Sequence, residues 1–176
     1  MKSTGTWNEN AGQANGQTTS FVRLTNGSNP FPKGVAFADW LQNVGATTTR
    51  AQLPITQARG VLQTVDATKA QEWVSIPHYP NSNDPAASQF MSYNAPIGAS
   101  DAQVCGRAVF TDMHVSSGAT QDVAGQQGTL FPQRCAGYPN VANVALSAQE
   151  KALEFMLFDL SSCISNDNEP PPIIIH

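Results

Sequence analysis

The chain has 176 residues and a mass of 18.7 kDa, with 40% hydrophobic residues, enough for one domain with its own core. Nine basic against thirteen acidic residues leave a net charge of −4, which excludes a strong electrostatic attraction to nucleic acid. No apolar run approaches the roughly 18 residues of a membrane-spanning helix.

Only 12% of the residues are charged, about half the usual share. Asn, Gln, Ser and Thr must wet the surface instead, a composition associated with secreted proteins. Residues 1–20 are rich in Gly, Asn, Gln and Thr, with one tryptophan, Trp7. They lack the basic and apolar regions of a signal peptide and read as a polar, flexible segment ahead of a globular domain at 21–164.

From 34 to 44, Phe37, Trp40, Leu41 and Val44 recur at i, i+3, i+4 and i+7, between Pro32 and Gly45. That spacing predicts an amphipathic helix. Residues 47–49 read as a loop or edge strand. Strand-length runs bounded by Pro, Gly, Asn or Asp follow at 58–65, 72–76 and 89–94. In the last of these, Phe90 and Ser92 oppose Met91 and Tyr93, as in a strand packed on both faces. The stretch 76–85, with three prolines and His78, is expected to be a surface loop.

Residues 107–111 read as a buried strand that delivers Asp112, Met113 and His114 at its carboxyl end. In an open α/β sheet that is where ligands and catalytic groups gather. A long Gly- and Gln-rich loop, 116–132, comes next. Ser147 and Glu150 form a capping box, which opens a helix at 148–162. Its broad apolar face comprises Ala152, Leu153, Phe155, Met156, Leu157 and Leu160. A Pro-rich tail, 165–176, ends the chain with Pro170, Pro171 and Pro172 before Ile173, Ile174 and Ile175. These elements predict an α/β fold with two main helices, or a mixed α+β arrangement of them.

The three cysteines, Cys105, Cys135 and Cys163, form no C-x-x-C pair, and the histidines are scattered, so no zinc-ligand spacing exists. Cys105 and Cys135 flank one Gly- and Gln-rich loop and are the expected disulfide, with Cys163 free on its helix. Closing a loop of about 30 residues would contribute roughly 3–4 kcal/mol. Pairing of Cys135 with Cys163, or three unpaired thiols, are the alternatives.

Three blocks carry a resemblance. They are Cys105-Gly-Arg-Ala-Val-Phe-Thr-Asp-Met-His114, then Phe131-Pro-Gln-Arg-Cys135, then the segment from Leu146 through Ser147, Glu150 and Phe155 to Cys163. Together they resemble the carboxyl-terminal half of a class I glutamine-amidotransferase-like domain in large bacterial secreted or surface proteins. The stretch from Ala38 to Ala46, continuing to Trp73, is similar to the segment that precedes it there. The resemblance implies a partial flavodoxin-like sheet carrying a β-rich insertion. An amidotransferase needs a cysteine on a strand-to-helix elbow. No cysteine here has the Gly-x-Cys-x-Gly setting, so glutaminase activity is not expected.

The candidate catalytic group is His114, with Asp112 two residues away as its orienting carboxylate and Ser116 offering a hydroxyl. No Gly-x-Ser-x-Gly elbow presents that serine. No cofactor is expected. A structural calcium ion is the one metal considered, from Asp39, Asp101, Asp112 and Asp122, although no twelve-residue calcium loop is present. Trp7, Trp40 and Trp73 are expected in core packing rather than as a carbohydrate platform. Two functions follow: a non-catalytic module of a secreted or cell-surface bacterial protein, or a small ester or lactone hydrolase centred on His114. Half a flavodoxin-like sheet would leave an open edge, so a homodimer is expected.

Overall fold

The computed structural model describes residues 1–12, 17–77, 86–113, 146–161, 167 and 169–170. After a 3-10 turn at Lys2–Thr4 come β1 (Gly5–Trp7), β2 (Gln17–Val22) and a small hairpin, β3 (Thr25–Asn26) with β4 (Asn29–Pro30). Helix α1 (Pro32–Asn43) precedes β5 (Gln52–Thr56), β6 (Leu62–Val65), β7 (Gln71–Ile76) and β8 (Ala87–Ala95). A second 3-10 turn (Asp101–Gln103), β9 (Gly106–Thr111) and α2 (Ala148–Ser161) follow. The fold is thus a mixture of α and β with two main helices.

Five strands form one sheet in the order β5-β2-β7-β8-β9, and β1 pairs with β6 beside it. Every ladder among the described residues is antiparallel. The flavodoxin-like part of the expectation is therefore not confirmed, because that architecture rests on parallel strands joined by helical crossovers. The rule that ligands gather at carboxyl ends of strands has no purchase here either. β9 pairs only with β8 among the described residues and is half-buried along its length, rather than the buried strand expected.

The amino-terminal segment is not an arm outside the domain. β1 pairs with β6, and β2 lies between β5 and β7. The sequence reading omits β2 and β5, for different reasons. β2 turns Ser20 inward rather than a large apolar group, and the Ser20 hydroxyl donates to the Leu53 carbonyl at 2.9 Å. β5 alternates correctly, with Leu53 and Ile55 buried, but carries Pro54. A proline is tolerated there because, among the described residues, β5 is an edge, where no second neighbour needs its amide.

α1 begins at Pro32, a residue suited to the first helical position, and buries Phe37, Ala38 and Leu41 completely. Gly34 lies so close to β2's exit that an added Cβ would sit 2.0 Å from the Arg23 carbonyl oxygen. On β7, Trp73 is an extra residue between the pairs Glu72–Met91 and Val74–Phe90. This bulge explains why β7 does not alternate cleanly, and it turns Trp73 into the core. Around its indole, Phe31, Phe37 and Phe155 stand edge-on with ring centroids 4.8, 6.1 and 6.3 Å away. β8 packs on both sides as expected: Phe90 joins the helix-side core, while Met91 joins Leu62 and Ala70 opposite.

α2 carries the expected capping box. The Ser147 amide donates to Glu150 Oε2 at 2.7 Å, and the Glu150 amide donates to Ser147 Oγ at 3.3 Å. Its facing differs from the expectation. Gln149, Ala152, Met156 and the Asp159 side chain point inward, while Leu157 and Leu160 are exposed. The buried stripe keeps Ala152, Met156 and the core-packed Phe155 of the expected face and is turned away from Leu157 and Leu160. Polar clamps set that rotation. The Gln149 amide accepts from the Thr56 amide at 2.9 Å and donates to the Thr56 carbonyl at 3.1 Å, and Lys151 donates to the Val44 carbonyl at 2.6 Å.

Candidate functional site

Asp112 follows β9 directly and is buried. Its amide donates to the Gln89 carbonyl at 2.8 Å, which extends the pairing with β8 by one residue. Its Oδ2 accepts from the amides of Val61 and Leu62 at 2.8 and 3.2 Å, fixing the entry of β6. Burial pushes the Asp112 carboxyl above its ordinary value of 3.8, against the lowering effect of those two amides and of the Arg59 charge. The nearby Gln89 amide group repeats the device by donating to the Arg59 carbonyl at 2.7 Å. Through Oδ2 the carboxylate expected to orient His114 also clamps β9 to β6. His114 and Ser116 lie outside the described residues.

Cys105 is at the surface, with Sγ 3.5 Å from the Ala95 carbonyl oxygen. Cys135 and Cys163 lie outside the described residues, as does His78. Among the described residues, the acids considered for calcium lie on separate elements. Asp39 pairs with Arg50 at 2.5 Å, Asp101 is exposed beyond β8, Asp112 is the clamp, and Asp122 is outside the described residues. Among the described residues no three His, Cys, Asp or Glu side chains converge as a metal site. No described helix is long and apolar enough to cross a membrane. The tryptophans pack apart from one another: Trp73 in the core, Trp40 on Phe155 at 5.5 Å and Trp7 on Phe110 at 5.0 Å.

A buried charge network, absent from the sequence reading, lies between α1, α2 and β9. Lys33 Nζ donates to Asp159 Oδ1 at 3.0 Å and stands 3.4 Å from Asp167 Oδ1. Arg107 Nη2 lies 2.7 Å from Asp167 Oδ1, and Nε lies 3.0 Å from Asp159 Oδ2. The Arg107 Nε contact lacks the alignment of a hydrogen bond and acts through charge alone. The two cations are under 5% exposed, and their charges balance those of the two carboxylates. Arg107 Nη2 also donates to Ser92 Oγ at 2.7 Å, which accepts the Trp73 indole N–H at 2.8 Å. The Arg107 guanidinium sits 5.8 Å above the Trp73 ring. The signal was in the sequence: Lys33, Phe37 and Leu41 share one helical face, and Asp159 continues the stripe of Ala152 and Met156. Asp167, placed in the tail by the sequence reading, is part of this network.

Next to the network lies a concavity lined by functional groups. Two adjoining clefts, of about 210 and 310 Å³, share Asn26, Ala67, Ala70 and Gln71. The floor is the first rung of the β7–β8 ladder, Gln71 opposite Ser92. The β3–β4 hairpin, the β6–β7 turn and the β8–β9 connection form the walls. Asp66 shapes the β6–β7 turn by accepting from the Thr68 amide and hydroxyl at 3.0 and 2.6 Å and from Lys69 at 2.6 Å. Those bonds hold the Asp66 carboxyl at about 2.

No family model, curated protein or solved structure matches this chain.

Proposed function

We propose that the chain is a non-catalytic module of a secreted or cell-surface bacterial protein. The observation that supports this best is the state of Asp112, whose Oδ2 is committed to two backbone amides of β6. A carboxylate spent in this way holds strands together and needs no imidazole to account for it. The low share of charged residues supports the same reading. The reading extends to a proposed Cys105–Cys135 disulfide, since an oxidising compartment preserves such a bond, although Cys105 carries a free thiol in this structure.

The second reading is a small ester or lactone hydrolase with His114 as base, Asp112 as its partner and Ser116 as nucleophile. It is favoured by one observation: burial raises the proton affinity of Asp112 two residues before His114. A panel of activated esters and lactones, assayed on the full chain and on His114→Ala, separates the two. The module reading expects no turnover above buffer by either protein. Turnover that His114→Ala abolishes, at an unchanged melting temperature, would replace it with the hydrolase.

A further inference from the structure

We infer that the paired clefts at the β7–β8 end of the sheet bind an uncharged, polyhydroxylated ligand, an oligosaccharide segment. The inference rests on the chain being a non-catalytic module and names what that module would hold. Its first support is the chemistry of the lining. Asn26, Thr68, Gln71, Tyr93, Asn94 and Asp101 bring carboxamides, hydroxyls, a carboxylate and an aromatic ring to a continuous depression, whose lining also holds the ion-paired Arg23, Glu72, Lys69 and Asp167. Planar carboxamide and carboxylate groups suit vicinal hydroxyls, which donate and accept side by side. An aromatic face suits the C–H side of a sugar ring. A polar site of this kind discriminates through hydrogen bonds, because an ill-matched ligand leaves buried groups unpaired.

The second support is the state of the charges around the clefts. Lys69 is held by Asp66 at 2.6 Å, Arg23 by Glu72 at 2.5 Å, and Arg107 by Asp159 and Asp167. Each cation near the lining is thus already matched by a carboxylate, and Asp101 adds one negative charge. That balance disfavours phosphate, sulfate and nucleic acid. An apolar ligand would strip water from amides and hydroxyls without replacing their bonds. A neutral polyol replaces that water group for group. The third support is rigidity: Gln71 and Ser92 are buried partners in the ladder, and the Arg107 guanidinium fixes Ser92 from beneath. The floor of the cleft is therefore set before any ligand arrives.

The test is a titration of the isotope-labelled full chain with neutral hexasaccharides of glucose, xylose and N-acetylglucosamine, with inorganic phosphate and a sulfated hexasaccharide as anionic probes. At least one neutral hexasaccharide should shift the amide and carboxamide signals of residues 26, 71, 94 and 101. Asn26→Ala and Asp101→Ala, both at the walls of the cleft, should each weaken that binding by about tenfold with unchanged melting temperatures. Three results would overturn the inference: no shift with any neutral probe at millimolar concentration, affinity unaltered in both variants, or stronger binding of the anionic probes. Ester or lactone turnover dependent on His114 would instead overturn the module reading and leave the cleft shifts to be judged separately.

Discussion

Two carboxylate sites in the interior of this molecule are neutralised differently. Asp159 and Asp167 meet the side-chain cations Lys33 and Arg107, so charge answers charge across α1, α2 and β9. Asp112 meets two backbone amides of β6, with the Arg59 charge as a lesser contribution. The first arrangement joins three elements far apart in sequence. The second ties the end of β9 to the start of β6, 51 residues earlier in the chain. Burial leaves its mark on the second, where the carboxyl is pushed above the ordinary aspartate value. A buried charge network fixes how elements pack, because a shifted helix would leave a charge unpaired. A backbone clamp fixes only where a strand begins.

Breaking the network should have the largest effect. Arg107→Met leaves the buried Asp159 and the half-buried Asp167 facing Lys33 alone and should lower unfolding free energy by about 3–5 kcal/mol in urea denaturation. The double change Arg107→Met with Asp159→Leu removes a charge of each sign and should recover a large part of that loss. A single variant as stable as the parent would show that α2 is held by its apolar contacts alone.

Breaking the clamp should matter less. Asp112→Ala leaves the Val61 and Leu62 amides without their acceptor in a partly buried place, at a cost of about 2 kcal/mol. Hydrogen exchange should accelerate at those two amides and not at Lys33 or Asp159. Exchange that accelerates throughout α2 as well would mean that the two sites are one cooperative unit.

The smallest effect sharpens the comparison through pH. The folded-state pKa of Asp112 is raised above 3.8, so the folded chain holds this proton more tightly than the unfolded chain does. Stability from this group is fully present below 3.8 and is lost as pH rises through the folded value. Asp112→Asn has no such loss. Its stability relative to the parent should therefore improve as pH rises above 3.8 and then level off. A difference that stays flat from acid to neutral pH would show that the two amides fully offset burial.

The cleft and the network were only partly legible in the sequence. The helices, the capping box of Ser147 and Glu150, and the strands of β7, β8 and β9 follow from periodicity and local hydrogen bonding, which neighbouring residues settle among themselves. Lys33 was visible as a cation at the head of an apolar face. Nothing local tells which carboxylate, 126 residues later, should meet it. The cleft joins a hairpin, a turn and a strand end drawn together by pairing, and no spacing in the sequence signals that.

By itself the sequence determined the composition, the two amphipathic helices and the two-sided character of β8, because each depends on residues within a few positions of one another. The tertiary structure decided the antiparallel order β5-β2-β7-β8-β9, the inclusion of the polar amino terminus and the rotation of α2. Those depend on partners that only folding brings into contact. Ser20 earns its interior place from Leu53, Gln149 from Thr56, and Asp159 from Lys33 and Arg107. Each is a polar residue whose burial is unfavourable alone and becomes favourable only when a distant hydrogen-bonding or charged group arrives.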